Sequence, residues 1–159
     1  EIFMTIASEI CNSFKQEILV EVHNFTGGTD DFKLALYDSD SANLSKSTTA
    51  YAAPTSPSAD PTSTREVTTG GSSGYTGGGN TLVSTTPVVN GDSACCLFAT
   101  TTWGSSASFT ARGCLIYNSS ASDKAVCSIN FGADKTVTTG TFTIEFPAQT
   151  AGNAIIEIT

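Results

Sequence analysis

Apolar and polar residues alternate along much of the chain, most clearly near its C-terminal end. In the stretch 141–146 every second side chain is large and apolar, which is the period of a strand with one buried face. Phe32–Tyr37 alternates in the same way before the turn-forming residues 38–41. The same period between turn signals predicts further strands at 81–85, 94–100, 106–117, 124–131, 140–146 and 153–158.

Short groups of turn-forming residues separate these predicted strands. They are Asn90-Gly91, Gly104, Asn118-Ser119-Ser120 and Gly132-Ala133-Asp134. A series of short strands joined by such turns is typical of antiparallel sheets. We therefore predict a mainly β fold, an antiparallel β-sandwich or jelly-roll-like domain with a short N-terminal helix and extended arms.

A helical period precedes the strands, because apolar residues recur every four positions at Ile6, Ile10, Phe14 and Ile18. This spacing predicts an amphipathic helix that ends near Leu19, with Thr5 or Ser8 as its N-cap. The predicted organisation is an N-terminal helix and connection over residues 1–25, followed by one β domain over residues 26–159.

Residues 45–65 are rich in Ser, Thr and Ala, and they also contain Pro54, Pro57 and Pro61. Prolines this close together exclude a helix or an interior strand, so we predict a surface arm. The arm contains Tyr51, and Glu66-Val67 follows it. These residues favour an arm that becomes ordered against a neighbour, with disorder as the alternative.

A glycine-rich strap is predicted at residues 70–80, where Tyr75 is the only large side chain. Glycine has no side chain and tolerates positive φ, so Gly77, Gly78 and Gly79 let the backbone pass close to another surface. A phosphate-binding loop is the alternative. It would need a strand before the glycines, a helix after them and usually a lysine, and the sequence predicts none of these.

The composition narrows the range of partners. The net charge is -8 and the pI is about 4.3, which argues against nucleic acid and anionic membranes, since both require clustered Lys and Arg. No apolar run reaches the length of a membrane span. We expect neither nucleic acid nor a membrane as a partner.

The position of the single methionine, Met4, suggests that the natural protein begins there. The N-terminus lacks the charged-then-apolar order of a secretion signal. We expect synthesis in the cytoplasm without a signal peptide.

The cysteines are Cys11, Cys95, Cys96, Cys114 and Cys127. They show no C-x-x-C spacing and no neighbouring histidines, so the sequence predicts no zinc site. Cytosolic synthesis favours reduced, packed thiols, and disulfides formed after release from the cell are the alternative.

The hairpin between strands 106–117 and 124–131 has two competing registers. Pairing Cys114 with Cys127 would permit a disulfide but would set Arg112 opposite Ile129, leaving no consistent apolar face. Pairing Leu115 with Cys127 aligns one apolar face, so we predict this register and no Cys114–Cys127 disulfide.

Catalytic groups are scarce. His23 is the only histidine, and we interpret it as a surface residue. Residues 70–74 match G-x-S-x-G, but no histidine follows later in the chain, so we interpret the match as accidental. Asp38 and Asp40 begin like a calcium loop, but Ala42 stands where a ligand is needed. We predict a non-enzymatic protein without metal or cofactor.

Trp103 and Tyr117, together with other tyrosines, are candidates for a sugar-stacking platform. The alternative, which we favour, is that Trp103 fills the core between Phe98 and Phe109.

Several segments together resemble a family of small structural proteins of tailed-bacteriophage particles, of the head decoration or cement kind. They are Thr5-Ile6-Ala7-Ser8-Glu9-Ile10, Phe32–Tyr37, Glu66-Val67 with Gly74-Tyr75-Thr76-Gly77-Gly78, Thr110-Ala111-Arg112-Gly113 to Ile116-Tyr117-Asn118, and Gly140-Thr141-Phe142-Thr143-Ile144. The resemblance spans nearly the whole chain, and it brings no catalytic residues with it.

The resemblance implies a virion protein that decorates or cements the capsid by binding the major capsid protein, copies of itself, or both. We expect a homo-oligomer. The predicted partner contacts are Ile6, Ile10, Phe14, Tyr51, Tyr75, Gly77, Gly78 and Gly79. The alternatives are a tail or fibre module that binds host glycans and a tail-tube subunit.

Overall fold

The computed structural model describes residues 6–38, 44–52, 65–67 and 73–159. Within these ranges the fold is mainly β, with antiparallel sheets and a short α-helix, as the alternation predicts. The arrangement is consistent with a β-sandwich. The jelly-roll connectivity stays a prediction.

The described strands form a five-stranded and a three-stranded sheet. The strands are β1 Glu9–Ile10, β2 Phe32–Tyr37, β3 Asn80–Leu82, β4 Val88–Asn90, β5 Ser93–Cys96, β6 Thr101–Asn118, β7 Lys124–Ile144 and β8 Ile156–Ile158. The larger sheet has the order β1-β7-β6-β2-β3, and the smaller has the order β4-β5-β8. All strand pairs are antiparallel.

The two longest strands, β6 and β7, form a hairpin, called the β6–β7 ribbon, at the centre of the larger sheet. Its turn is the predicted one at 118–120, where Ser119–Ala121 forms a 3₁₀ turn. The side chain of Asn118 accepts hydrogen bonds from the backbone N–H groups of Ser120 and Ala121 and so caps that turn.

Two other predicted turns are wrong. β6 continues through Gly104, and β7 continues through 132–134, so that the predicted strands 124–131 and 140–146 are one strand. The register jumps from Ala111↔Lys135 to Gly113↔Asn130, which leaves residues 131–134 as a bulge opposite Arg112. Gly132 supplies the positive φ of 76° within this bulge.

The predicted hairpin register is also wrong. Ile116, not Leu115, lies opposite Cys127, and Cys114 lies opposite Ile129. The prediction assumed one polar face, whereas residues 113–118 of β6 are all buried. With both faces covered, alternation carries no information about the register.

The N-terminal helix is shorter than predicted and begins later. The α-helix, α1, spans Asn12–Glu17, and a 3₁₀ turn at Ile18–Val20 follows it. Cys11 is the N-cap residue, without a side-chain capping bond. Ser8 does not cap the helix, because its hydroxyl oxygen accepts a hydrogen bond from Asn130 N at 2.9 Å. The candidate cap Thr5 lies outside the described residues.

An aromatic cluster joins the N-terminal region to the sheets. The rings of Phe25 and Phe32 stack with centroids 4.4 Å apart, and Phe98 packs on both. Phe14 contacts Phe25 edge-on. Burial of one such ring contributes about 1.5–3 kcal/mol to the free energy of unfolding. Phe14 and Phe25 pack with the rings of the sheets, so residues from the first 25 positions are part of the common core.

Candidate protein-interaction site

The outer edge of β7 is largely open. β1 pairs with it only at Glu9↔Ser128 and Ile10↔Cys127. In the part of the chain that the structure describes, residues 131–144 of β7 have no strand partner other than β6, whereas Asn130 N donates to Ser8 Oγ. An edge of this kind presents backbone N–H and C=O groups that another strand can pair with.

A groove of about 490 Å³ lies on this part of β7. Its apolar lining consists of Ile129, Phe131, Phe142, Ile144, Phe146, Pro147 and Ile155. Ile129 and Phe142 lie far apart along β7 yet line the same groove, so the strand curves between them, where its pairing with β6 is irregular at 131–134 and again at 138–139. The rings of Phe131, Phe142 and Phe146 are only partly buried, which leaves apolar surface in contact with solvent.

A smaller hollow of about 220 Å³ adjoins the groove and shares Ile129 and Ile155 with it. β1 forms its other wall through Glu9 and Ile10. The apolar surface therefore extends from the bulge to β1, next to the open strand edge.

Two opposite charges line the groove. Lys135 and Glu145 are both exposed, and neither forms an ion pair with any residue that the structure describes. The groove thus combines a mostly apolar floor with one free positive and one free negative side chain.

A buried carboxylate fastens the described part of the strap, residues 73–80. Glu66 is 5% exposed and accepts hydrogen bonds from Tyr51 Oη at 2.9 Å, Tyr75 Oη at 2.7 Å and Gly78 N at 2.7 Å. Tyr75 Oη also accepts a hydrogen bond from Leu36 N. Burial, and then the Glu66 charge, raise the pKa of Tyr75 and of Tyr51.

The close approach predicted for the glycines is confirmed at Gly79. A Cβ there would lie 1.7 Å from Leu34 O, and the φ of Gly79 is +72°. Gly78 has a φ of +83°, and its carbonyl accepts a hydrogen bond from Tyr117 Oη at 2.8 Å. The surface that the strap approaches is β2 of the same chain.

The predicted partner contacts lie in different environments. Ile6, Phe14 and Tyr75 are buried in the core of this chain, whereas Gly77 is exposed. Ile10 is half-buried and lines the hollow beside β7. The burial of the first three explains their apolar character without a partner. The contact role of the whole set, which also includes Tyr51, Gly78 and Gly79, stays a prediction.

The Pro-rich arm is described only at its two ends, residues 44–52 and 65–67, and residues 53–64 lie outside the described ranges. At the first end, Tyr51 N donates to Asp123 O, and Ala125 N donates to Thr49 O. The ring of Tyr51 stacks on Tyr117 at a centroid distance of 4.4 Å. This end of the arm is therefore ordered against its own sheet.

Neither candidate sugar platform has a free ring face. Trp103 is 3% exposed and packs against Tyr75, Phe109 and Phe142. Tyr117 is 2% exposed. Trp103 is a core residue, which confirms the favoured interpretation. Among the described ring contacts, its neighbours include Phe109 but not Phe98.

His23 is buried, so its interpretation as a surface residue is wrong. Its Nε2 lies 3.0 Å from Glu17 Oε2, and its Nδ1 lies 3.2 Å from Asn118 Nδ2. Asn118 Nδ2 donates to Nδ1, so Nε2 carries the proton and donates to Glu17. Lys124 Nζ donates to the other carboxylate oxygen of Glu17. Both ring nitrogens are occupied by contacts that hold α1 against the ribbon.

All five cysteines are free and buried. Burial raises the pKa of Cys127 and of Cys96 to about 12, and that of Cys11 to about 11. These thiols stay protonated at neutral pH and pack as small apolar groups.

The remaining motifs do not form a reactive centre in the described residues. Asp38 pairs with Arg65 at 3.1 Å, while Asp40 and residues 70–72 lie outside the described ranges. In those ranges, no group of His, Cys, Asp and Glu side chains could hold a metal ion. Nor is any described helix long and apolar enough to cross a membrane.

Sequence reasoning did not identify the groove. It found the alternation of Phe142, Ile144 and Phe146 but assigned all three to a buried face. The signal that could have identified an edge strand is the presence of Lys135 and Glu145 on either side of the threonine-rich stretch 136–143.

A comparison of the chain with protein-family models, curated proteins and solved structures finds no match.

Proposed function

We propose that this chain is a non-enzymatic structural protein of a tailed-bacteriophage particle that decorates or cements the capsid by binding neighbouring subunits. The observation that carries the adhesive part of the proposal is the open edge of β7 beside its apolar groove. The sequence resemblance supports the assignment to a phage particle. Synthesis in the host cytoplasm and incorporation into the virion belong to the same proposal.

The groove has the properties of a docking site for an extended chain. Partly buried phenylalanines supply apolar contacts, and the adjacent strand edge supplies backbone hydrogen-bonding groups. The β6–β7 ribbon gives this site a rigid support, since β2 pairs along the whole inner part of β6. Many modest contacts of this kind add up when a particle carries many copies.

The reactive side chains support adhesion over catalysis. The ring nitrogens of His23 are occupied by Glu17 and Asn118, and the thiols of Cys114 and Cys127 are buried. These groups stabilise the fold through internal contacts. The groove, in contrast, presents partly buried apolar rings that contact solvent, together with Lys135 and Glu145, which form no ion pair with any described residue.

The proposal is tested on particles of a phage that encodes the chain. Mass spectrometry of purified particles should detect the chain in fixed proportion to the major capsid protein, and electron cryomicroscopy should locate it on the head. Purified particles without the chain refute the virion assignment.

A pair of threonine variants tests the groove itself. Thr143 on β7 and Thr81 on β3, at the opposite edge of the larger sheet, are both exposed, but only Thr143 lines the groove. Thr143→Arg should block binding of the purified full chain to particles that lack it, whereas Thr81→Arg should bind like the wild type. Equal binding by both variants would place the contact elsewhere.

A further inference from the structure

The charges in the β7 groove are self-complementary. Lys135 of β7 and Glu145, which directly follows β7, both line the groove without an ion-pair partner among the described residues, and Gly140 lies midway between them in the sequence. If two β7 segments lie antiparallel about Gly140, each lysine comes opposite the glutamate of the other copy.

We propose that the groove and the open edge of β7 form a two-fold interface between copies of this chain, with reciprocal Lys135–Glu145 pairs. The proposal rests on the adhesive function above and names the partner at that site. In a two-fold interface residue i contacts j and j contacts i, so one positive and one negative side chain per copy satisfy each other.

The charge balance favours a second copy over a strongly charged partner. Two chains with a net charge of -8 repel each other, so they can associate only where the facing surfaces are locally balanced. The groove supplies this balance with its single lysine and single glutamate. A basic or acidic partner would instead be matched by lining charges of one sign.

The size of a stable interface sets a further condition. Specific interfaces bury roughly 800 Å² on each partner, which is about a tenth of the 8114 Å² of accessible surface of this chain. The groove floor and the backbone edge of residues 136–144 must therefore both take part, which agrees with pairing of the two β7 edges about Gly140.

Sedimentation equilibrium on the full-length chain tests the interface. The wild type should be a dimer, whereas Lys135→Glu and Glu145→Lys should each weaken self-association by roughly 100-fold, because each homodimer then has two like-charge contacts of about tenfold each. An equimolar mixture of the two variants should form dimers again, since every pair in the mixed dimer is of opposite sign. The double variant K135E/E145K should also dimerise.

Exposed charges outside the groove provide matched controls. Lys15→Glu on α1 and Asp92→Lys beside β4 change the net charge by the same amounts and should leave the dimer intact. Controls that weaken the dimer as much as the groove variants would assign the effect to net charge and overturn the proposal.

Other outcomes separate the interface from the function. A wild type that stays monomeric, or a variant mixture that does not dimerise, overturns the two-fold interface. If such a monomer still binds particles and Thr143→Arg prevents this, the groove binds a different chain and the adhesive function stands. Absence of the chain from particles refutes the virion function. Sedimentation equilibrium of the purified chain does not depend on that result and tests the two-fold interface separately.

Discussion

The two halves of the β6–β7 ribbon differ in how many of their faces and edges are covered. In the inner half, 113–118 with 124–129, every β6 residue is buried. In the outer half, 101–111 with 131–144, the β7 residues are half-buried or exposed. One strand pair thus provides both the centre of the core and an open surface.

The neighbours of the ribbon explain this difference. β2 pairs with the inner half of β6, while β1 and α1 lie against the inner half of β7. In the outer half, the strap contacts β6 through the hydrogen bond from Ser108 N to Ser73 O. No described strand covers the corresponding edge of β7. The position of the neighbours, rather than the strand sequence alone, determines which half of the ribbon keeps an open edge.

The largest effect on the free energy of unfolding is expected from adding one methyl group in the inner half of the ribbon, compared with adding one in the outer half. A Cβ at Gly113 would lie 2.5 Å from Ile129 O and 2.9 Å from Ile6 Cγ2, whereas a Cβ at Gly132 would meet nothing within 4 Å. Gly113→Ala should lower the free energy of unfolding by about 3 kcal/mol or more. Gly132→Ala should lower it by about 1–2 kcal/mol, from its positive φ alone. Urea denaturation measures both, and equal losses would contradict the comparison.

Truncation of one isoleucine in each half is expected to have the next largest effect. Ile116 is fully buried, whereas Ile144 is half-buried in the groove. Ile116→Ala should lower the free energy of unfolding by about 2–5 kcal/mol, and Ile144→Ala should lower it by about 1 kcal/mol. The midpoints of chemical denaturation provide the test. A larger loss for Ile144→Ala would show that the outer half carries core packing.

Acid should weaken the contact between α1 and the inner half. Burial alone would raise the pKa of Glu17, but hydrogen bonds from Lys124 and His23 hold this pKa below its ordinary value of 4.5. A lowered folded-state pKa contributes stability that is present above pH 4.5 and is lost as the pH falls through the folded-state pKa.

Glu17→Gln should therefore cost about 1–2 kcal/mol at neutral pH and little in acid. Thermal unfolding of both proteins as a function of pH measures this difference, with the exposed Glu21→Gln as control. Parallel pH profiles for wild type and Glu17→Gln would contradict the prediction.

The smallest effect concerns thiol reactivity rather than stability. Cys114 and Cys127 are buried in the inner half, and burial raises the pKa of both thiols. They should not react with a thiol reagent at neutral pH until the chain is denatured. An added cysteine in the exposed outer half, Thr138→Cys, should react at once. Rapid labelling of Cys114 in the native protein would show that the inner half opens readily.

This comparison also explains which structural predictions succeeded. The position of strand β2 and the turn at 118–120 were predicted correctly, but the single buried face predicted for β2 is wrong, because Ala35 and Tyr37 are buried as well as Phe32, Leu34 and Leu36. The register of the inner hairpin was wrong, because burial of both faces removes the polar face on which the reasoning depended. The 131–134 bulge resembled a turn, because glycine supplies positive φ to both.

The site was less predictable than the fold. The glycines of the strap indicated that its backbone passes close to another surface, and Gly79 does so. The sequence could not indicate that this surface is β2 of the same chain. The groove depends on residues as distant in sequence as Ile129 and Ile155 coming together. The N-terminal spacing of apolar residues fits one helix, yet long-range hydrogen bonds from Ala7 to Leu44 and from Cys11 to Val126 hold the first part extended.

The bulge at 131–134 has a practical consequence. Gly132, Ala133 and Asp134 are exposed and have no backbone partner in β6, although the side chain of Asp134 lies 3.5 Å from that of Arg112. Additional residues between Gly132 and Ala133 would therefore extend outward without shifting the ladder on either side. A foreign epitope placed there would be exposed to solvent on each copy of the chain.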